Sequence, residues 1–259
     1  MPKPRVYATH QLFKEARGVL DAACDVEYWT GEERPPREEV LRRVKDKEGL
    51  VCLLTEKVND ELLRAAPKLR IAANVAVGFD NIDLDACTKR GVVASNTPGV
   101  LDETTADFAW TLLMAVARRL GEGEQLARSG NWKGWNLDQL CGADIWGKTL
   151  GIVGFGRIGR RVGEIATVMG MRVIASDEAK EAAPAWPGFE WCEQSELMAA
   201  ADVVSLHCPL LPHTRGIINA STLSRMKSTG FLINTSRGPL VVEQDLADAL
   251  NQERLAGAG

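Results

Sequence analysis

The chain has 259 residues, 45% hydrophobic and 25% charged, enough apolar material to bury a sizeable core in one or two domains. Its net charge of −4 provides no basic footprint, so neither nucleic acid nor an anionic membrane surface is expected as a partner, and small molecules are favoured. No apolar leader follows Met1-Pro2-Lys3-Pro4-Arg5 and no long apolar span occurs, and the six cysteines (Cys24, Cys52, Cys87, Cys141, Cys192, Cys208) lack CxxC spacing; a cytoplasmic protein with reduced thiols and no metal site is expected.

Along the chain, short apolar runs alternate with amphipathic stretches, the pattern of βα units around a parallel sheet. A first series predicts strands at 5–9, 25–29, 49–55, 69–75 and 92–96, separated by helices near 11–23, 36–44, 59–66 and 84–90. A second series opens with one long helix predicted from Asp102 to about Arg128, rich in Ala, Leu and Met and free of internal proline. A loop with two tryptophans, Trp132 and Trp135, follows. Strands are then predicted at 149–153, 172–176, 202–206 and 231–235, with helices opening near Arg157, Ser195, Ser221 and Glu243.

The strongest chemical signal is Gly154-Phe155-Gly156-Arg157-Ile158-Gly159. It follows the apolar run Leu150-Gly151-Ile152-Val153 and opens a helical pattern, the context in which a GxGxxG motif becomes informative. Gly154 permits the tight turn, Gly156 lets backbone approach a pyrophosphate, and Gly159 lets the helix pack on the strand. The amides and dipole of that helix would face the phosphates. A second strand ends at Asp177, whose carboxylate can accept hydrogen bonds from both ribose hydroxyls of NAD and, with Glu178 beside it, repel a 2′-phosphate. The cofactor expected is therefore NAD rather than NADP.

Four stretches in order carry a family resemblance: Asn74 to Asp83 (NVAVGFDNID); Asn96-Thr97-Pro98-Gly99 with Thr104-Thr105-Ala106-Asp107; Gly147-Lys148-Thr149-Leu150 before the glycine turn; and Leu206-His207-Cys208-Pro209-Leu210 with Asn234-Thr235-Ser236-Arg237-Gly238. The chain resembles the D-isomer-specific 2-hydroxyacid dehydrogenases, in particular the glyoxylate/hydroxypyruvate reductase branch. The resemblance implies an α/β protein of two doubly wound parallel-sheet domains: a flavodoxin-like substrate domain at 1–99 and a Rossmann NAD-binding domain at 100–259. It implies hydride transfer between NAD and a small 2-oxoacid or D-2-hydroxyacid such as glyoxylate or hydroxypyruvate.

By the same resemblance, the backbone amides of Val77 and Gly78 would hold the substrate carboxylate, and Leu53, at the end of a predicted strand with Leu54 and Thr55, would form one wall of the substrate cleft. Thr105, at the start of the long helix, is read either as a cap or as a cofactor-phosphate contact. Phe155, Arg157 and Ile158 within the turn, His207, Cys208, Pro209 and Thr214 after the strand predicted at 202–206, and Thr235, Ser236 and Arg237 at and after the end of the one at 231–235 would border the cofactor. Arg237 follows a strand at its carboxyl end, where open α/β sheets place ligands. A guanidinium there can grip a 2-oxoacid with two hydrogen bonds and stabilise charge on the carbonyl oxygen, which makes Arg237 the expected catalytic residue.

In the family a histidine held by a glutamate protonates the carbonyl oxygen, and both lie beyond the Gly-rich stretch Leu255-Ala256-Gly257-Ala258-Gly259. The sequence is therefore expected to be part of a longer protein, with its Rossmann domain truncated at the C-terminal end, leaving part of the sheet uncovered. His10, His207 and His213 offer no recognisable carboxylate orienter and are expected to be structural or solvated. The alternative reading is an NAD-sensing binding or corepressor-type protein on the same scaffold. A homodimer is expected, with the long helix, Trp132 and Trp135 at its boundary, because exposed aromatics in one loop would otherwise be an unexplained apolar patch.

Overall fold

Runs such as Arg5–Ala8 and Gly49–Cys52 are buried along nearly their whole length, as expected of strands covered on both faces of a parallel sheet. The computed structural model describes residues 2–259 and divides into two units, one ending at Val100 and one opening at Leu101.

The first unit runs β1 (Arg5–Ala8), α1 (Lys14–Ala23), β2 (Asp25–Tyr28), α2 (Arg37–Arg43), β3 (Gly49–Cys52), α3 (Asp60–Ala65), β4 (Ile71–Asn74), α4 (Leu84–Lys89) and β5 (Val93–Ser95). Its five strands pair in parallel in the order β2-β1-β3-β4-β5, the flavodoxin-like winding. Tyr7, Leu50, Cys52, Leu62, Leu63 and Ala72 form its core. The helices begin where short polar side chains supply acceptors: Asn59 caps α3 through Leu62 N–H at 3.2 Å, and Asp83 caps α4 through Ala86 N–H at 2.9 Å, each satisfying an amide the helix cannot.

The second unit comprises α5 (Asp102–Ala117), α6 (Leu120–Ser129), β6 (Thr149–Val153), α7 (Arg157–Val168), β7 (Arg172–Ser176), β8 (Glu190–Trp191), α8 (Gln194–Ala200), β9 (Val203–Leu206), α9 (Ala220–Leu223), β10 (Phe231–Asn234), α10 (Glu243–Asn251) and β11 (Gly257–Ala258). Six parallel strands lie in the order β11-β10-β9-β6-β7-β8, the Rossmann winding with its switch point between β6 and β9. Strand alternation divides the core: Leu150 and Ile152 face the α5/α7 layer with Trp110 and Val162, whereas Val153 faces the α8/α9/α10 layer with Leu197 and Ile218.

Three sequence expectations are corrected. The single helix over 102–128 is two helices, broken where Arg119 adopts a left-handed φ of 52°. There the Ala117 carbonyl accepts the Ala143 N–H at 2.8 Å, and Gly142 packs so closely that a Cβ would lie 2.5 Å from that oxygen. The incoming loop thus breaks a helix that propensity would have continued. The third strand ends at Cys52 rather than Thr55, because the Leu53 N–H leaves the ladder for the Glu56 carboxylate at 2.8 Å. The Gly-rich end forms β11, the sixth strand, and its glycine is required: a Cβ on Gly257 would meet Val116 of α5 at 2.4 Å.

Candidate functional site

In the second unit the site is built at the carboxyl end of β6. Gly154 has φ +92°, and a Cβ there would lie 2.3 Å from the Cys208 nitrogen, so the turn after β6 and the segment after β9 meet backbone to backbone. Their contact is completed by His207 N–H on the Val153 carbonyl at 2.8 Å and Gly154 N–H on the Ser176 carbonyl at 2.9 Å. A Cβ on Gly159 would lie 2.3 Å from the Gly154 oxygen, whereas one on Gly156 would meet nothing within 4 Å. Of the three glycines, two are required by the protein itself, and Gly156 alone keeps space open in front of the turn. Behind it α7 begins with no side-chain cap, so the Arg157 and Ile158 amides receive no acceptor from a capping side chain.

Asp177 stands 22 residues after Phe155 and is held in place by backbone. Its Oδ2 accepts the Phe155 N–H at 2.6 Å and its Oδ1 the Ala179 N–H at 2.9 Å. Phe155 itself turns inward: its ring is buried among Trp186, Phe189 and Trp191 at centroid distances of 5.8, 5.0 and 5.3 Å. Its place in the turn is therefore to anchor it, its N–H being taken by Asp177. Arg157 pairs with Asp102 at 2.9 Å, bringing together the amino ends of α7 and α5. Thr105 is the fourth residue of α5, its N–H already on the Leu101 carbonyl at 2.9 Å. It does not cap that helix.

At the ends of β9 and β10 two loops are stitched together: Ser236 Oγ donates to the Cys208 carbonyl at 2.6 Å, Asn234 Nδ2 to the Arg237 carbonyl at 2.9 Å, and Asn234 Oδ1 accepts the Ser236 N–H at 3.0 Å. Arg237 Nη1 donates to the Ser236 carbonyl at 3.0 Å. The Thr235 hydroxyl is buried without a partner in the chain, which is costly unless something else completes it. His207 sits against Ser205 Oγ at 2.8 Å, and burial pushes its pKa down to about 4; at neutral pH the ring is uncharged and carries no imidazolium proton to give. Burial raises the Cys208 thiol to about 11, so it stays protonated. Pro209 is exposed beside it. The Thr214 hydroxyl closes its own loop, donating to the Pro209 carbonyl and accepting the Leu211 N–H, both at 2.7 Å.

In the first unit the loops after β3, β4 and β5 are bound by groups the motif reading passed over. Glu56, buried, accepts from Leu53 N–H and Thr9 Oγ1 at 2.8 Å and from Thr55 Oγ1 at 2.6 Å. Asn81 Nδ2 donates to the Leu53 and Glu56 carbonyls at 3.1 and 2.9 Å. Three carbonyls of the 74–79 loop are clamped in succession: Ala76 by Thr97 N–H at 2.9 Å, Val77 by Asn96 Nδ2 at 2.7 Å and Gly78 by Asn74 Nδ2 at 2.8 Å. In a trans peptide N–H and C=O point oppositely, and no cis bond occurs among the described residues. The Val77 and Gly78 amides are therefore each fixed facing away from these clamps. Asn74, Asn81 and Asn96 all lie in the quoted motifs; an amide at a strand end facing a loop is the sequence signal that could have flagged them.

The residues fit a dinucleotide: open space at Gly156, a helix amino end without a side-chain cap, a fixed carboxylate at Asp177 and an unpartnered buried hydroxyl at Thr235. Comparison with known proteins agrees. The family model described as "D-isomer specific 2-hydroxyacid dehydrogenase, NAD binding domain" matches residues 110–259. A glyoxylate reductase of Korarchaeum cryptofilum is 44% identical over 259 residues, 99% of this chain and 78% of that protein. A Thermus thermophilus protein of known crystal structure superposes with a TM-score of 0.92 at 40% identity, over 98% of this chain and 80% of that one. The D-lactate dehydrogenase of Aquifex aeolicus, solved with NAD and lactic acid, gives a TM-score of 0.86 at 28% identity, over 98% and 75% of the two chains.

Proposed function

The chain belongs to the D-isomer specific 2-hydroxyacid dehydrogenase family, and from that premise we propose that it is an NAD-dependent reductase of small 2-oxoacids, with glyoxylate and hydroxypyruvate as its substrates. The observation that carries the reading is the Gly156 turn: space for a pyrophosphate at the amino end of α7, with Asp177 clamped to the same turn at 2.6 Å.

We assign residues 101–259 to the cofactor and 2–100 to the acid. The Arg157 and Ile158 amides and the dipole of α7 hold the pyrophosphate. Asp177 accepts from the adenosine ribose hydroxyls and disfavours a 2′-phosphate. Thr105, His207, Cys208, Pro209, Thr235 and Ser236 border the remainder of the dinucleotide, and Thr235 gains there the hydrogen bond it lacks. Bound NADH would supply the hydride, and the alkoxide left by its transfer would take a proton from water or a general acid. On the acid's side, the Val77 and Gly78 amides donate to a carboxylate, and Leu53 packs beside it. Arg237 orients the 2-oxoacid through its planar fork of donors and stabilises negative charge on its carbonyl oxygen.

The test is to follow loss of NADH absorbance with glyoxylate, with hydroxypyruvate, and with acetaldehyde, which has the carbonyl but no carboxylate. Oxidation dependent on the two acids and not on the aldehyde is expected. Failure to bind NADH in a fluorescence titration would reject the reading. The protein is further proposed to be a homodimer. Trp132 and Trp135 are 59% and 79% exposed, and α6 buries none of its residues, so aromatic surface stands open that a second copy would cover. A monomer by light scattering at micromolar concentration would refute this.

A further inference from the structure

The cations around the loop after β7 are already engaged by carboxylates. Arg160 of α7 pairs with Glu181 at 2.8 Å, Lys180 with Glu193 at 3.1 Å, and His213 with Glu178 at 2.6 Å. Arg160 is the one set against the turn itself. Its guanidinium lies 5.0 Å from the centroid of the Phe155 ring, and Phe155 is the residue whose N–H holds the Asp177 carboxylate. One residue therefore carries Arg160 on its ring and Asp177 on its amide. Arg160 is largely sheltered, its side chain 29% exposed, while Glu181 is 73% exposed and reaches in from the loop.

We propose that Glu181 is a specificity-determining residue: by engaging Arg160 it withholds the guanidinium seated on the turn that holds Asp177, and with Glu181 neutralised, Arg160 becomes a partner for a 2′-phosphate. The inference rests on the reading above that places the adenosine ribose beside Asp177. The physical basis is competition for one fork of donors. A guanidinium binds a phosphate in the same two-pronged manner as a carboxylate, so a phosphate reaching Arg160 must first displace Glu181, and an exposed ion pair makes that cost a few-fold in affinity. Exclusion of NADPH thus has two sources, direct repulsion by Asp177 and sequestration of Arg160 by Glu181. Only the second can be removed without disturbing the carboxylate that binds NADH. Specificity achieved by denying a partner to the wrong ligand is a recognised form of discrimination.

The experiment measures the Kd of NADH and of NADPH by nicotinamide fluorescence for the wild type, Glu181→Gln, and Glu181→Gln with Arg160→Ala. NADPH affinity is expected to rise roughly three- to tenfold in Glu181→Gln and to return to the wild-type value in the double variant, with the gain shrinking as salt is added. NADH affinity is expected to stay within about twofold throughout, since neither residue faces the ribose hydroxyls in this reading. Unchanged NADPH affinity in Glu181→Gln, or a gain that survives Arg160→Ala, would overturn the proposal while leaving the NAD site standing. Absence of NADH binding by the wild type would overturn both.

Discussion

The amide of Phe155 donates to Asp177 Oδ2 at 2.6 Å, so the glycine turn and the carboxylate that follows the next strand are one structural unit. Changing Asp177 therefore has two separable effects. Asp177→Asn keeps an oxygen for the Phe155 amide and removes the charge. It is expected to narrow the preference for NADH over NADPH by about 1–3 kcal/mol and to cost up to about 1 kcal/mol of stability, because its Nδ2 then faces the Ala179 N–H that Oδ1 accepts. Asp177→Ala also leaves the Phe155 amide without its acceptor and should lower stability by about 1–2 kcal/mol more. Titration of both cofactors against both variants, with melting curves alongside, checks the pair of effects; equal affinities for the two cofactors in the wild type would remove the claim.

The glycines of the turn should respond differently to the same substitution. Gly154→Ala places a Cβ 2.3 Å from the Cys208 nitrogen at φ +92°, which neither strand end can yield to, and is expected to cost about 3 kcal/mol or more of stability. Gly156→Ala meets nothing within 4 Å and sits at an ordinary φ of −75°. It should fold as well as the wild type yet bind NADH at least about tenfold more weakly, because the methyl occupies space the pyrophosphate needs. Normal NADH affinity in Gly156→Ala would contradict the placement of the cofactor.

These two cases also mark what a sequence can disclose. GxGxxG after an apolar run and an acid after the next strand are local patterns, and both are legible because turn and strand are determined by neighbours in sequence. The inward ring of Phe155, packed on Trp186, Phe189 and Trp191, is not, since those partners lie far along the chain and carry no periodic signal. The same holds for the helix break at Arg119, imposed by Gly142 and Ala143, and for β8 and β11, each two residues long and too short to show alternation. The loop closure made by Thr214 is hidden for a related reason: nothing in the sequence marks Pro209 and Leu211 as the partners of its hydroxyl. Glu56 escapes notice because a lone glutamate after a strand ordinarily reads as solvated; here three donors converge on it.

Thr235 offers a test of the cofactor site that is independent of Asp177. Its hydroxyl is buried with no partner in the chain, and a dinucleotide bound beside it would supply one. Thr235→Val removes the hydroxyl at nearly constant shape. The free protein is expected to be unchanged or up to about 1 kcal/mol more stable, and NADH affinity to fall roughly three- to tenfold. A variant that loses stability and keeps its affinity would mean the hydroxyl serves the fold instead.

Arg237 should matter for turnover far more than for cofactor binding. Its backbone is fixed by Asn234 Nδ2 on its carbonyl at 2.9 Å, so Arg237→Lys changes the head group while leaving the loop in place. A lysine keeps the charge but loses the planar fork that binds a 2-oxoacid at two points. The expected outcome is a fall of about 10²- to 10³-fold in kcat/KM for glyoxylate, with NADH affinity altered only a few-fold. Equal kcat/KM in Arg237→Lys and wild type would exclude two-point binding as its contribution.

His207 sets a pH dependence whose direction can be worked out. Burial lowers its pKa from the ordinary 6.5 to about 4, so between those values the unfolded chain binds a proton that the folded protein refuses. Stability must therefore rise with pH across that interval. The contribution of the neutral, half-buried ring is fully present above about pH 6.5 and is lost progressively as pH falls toward 4, at most about 3 kcal/mol in all. Between about pH 7 and pH 5 the loss from this group alone is about 2 kcal/mol. Because carboxylates titrate in the same range, the informative quantity is the difference between two proteins: urea unfolding of the wild type and of His207→Gln at about pH 7 and pH 5. The wild type should lose about 2 kcal/mol more than the variant over that step. Parallel losses would mean that the imidazole is solvated in the folded protein and able to protonate there. In that case it would also become a candidate proton donor, and the pH profile of NADH oxidation would shift in His207→Gln; with the ring held neutral, as the structure has it, that profile should stay where it is.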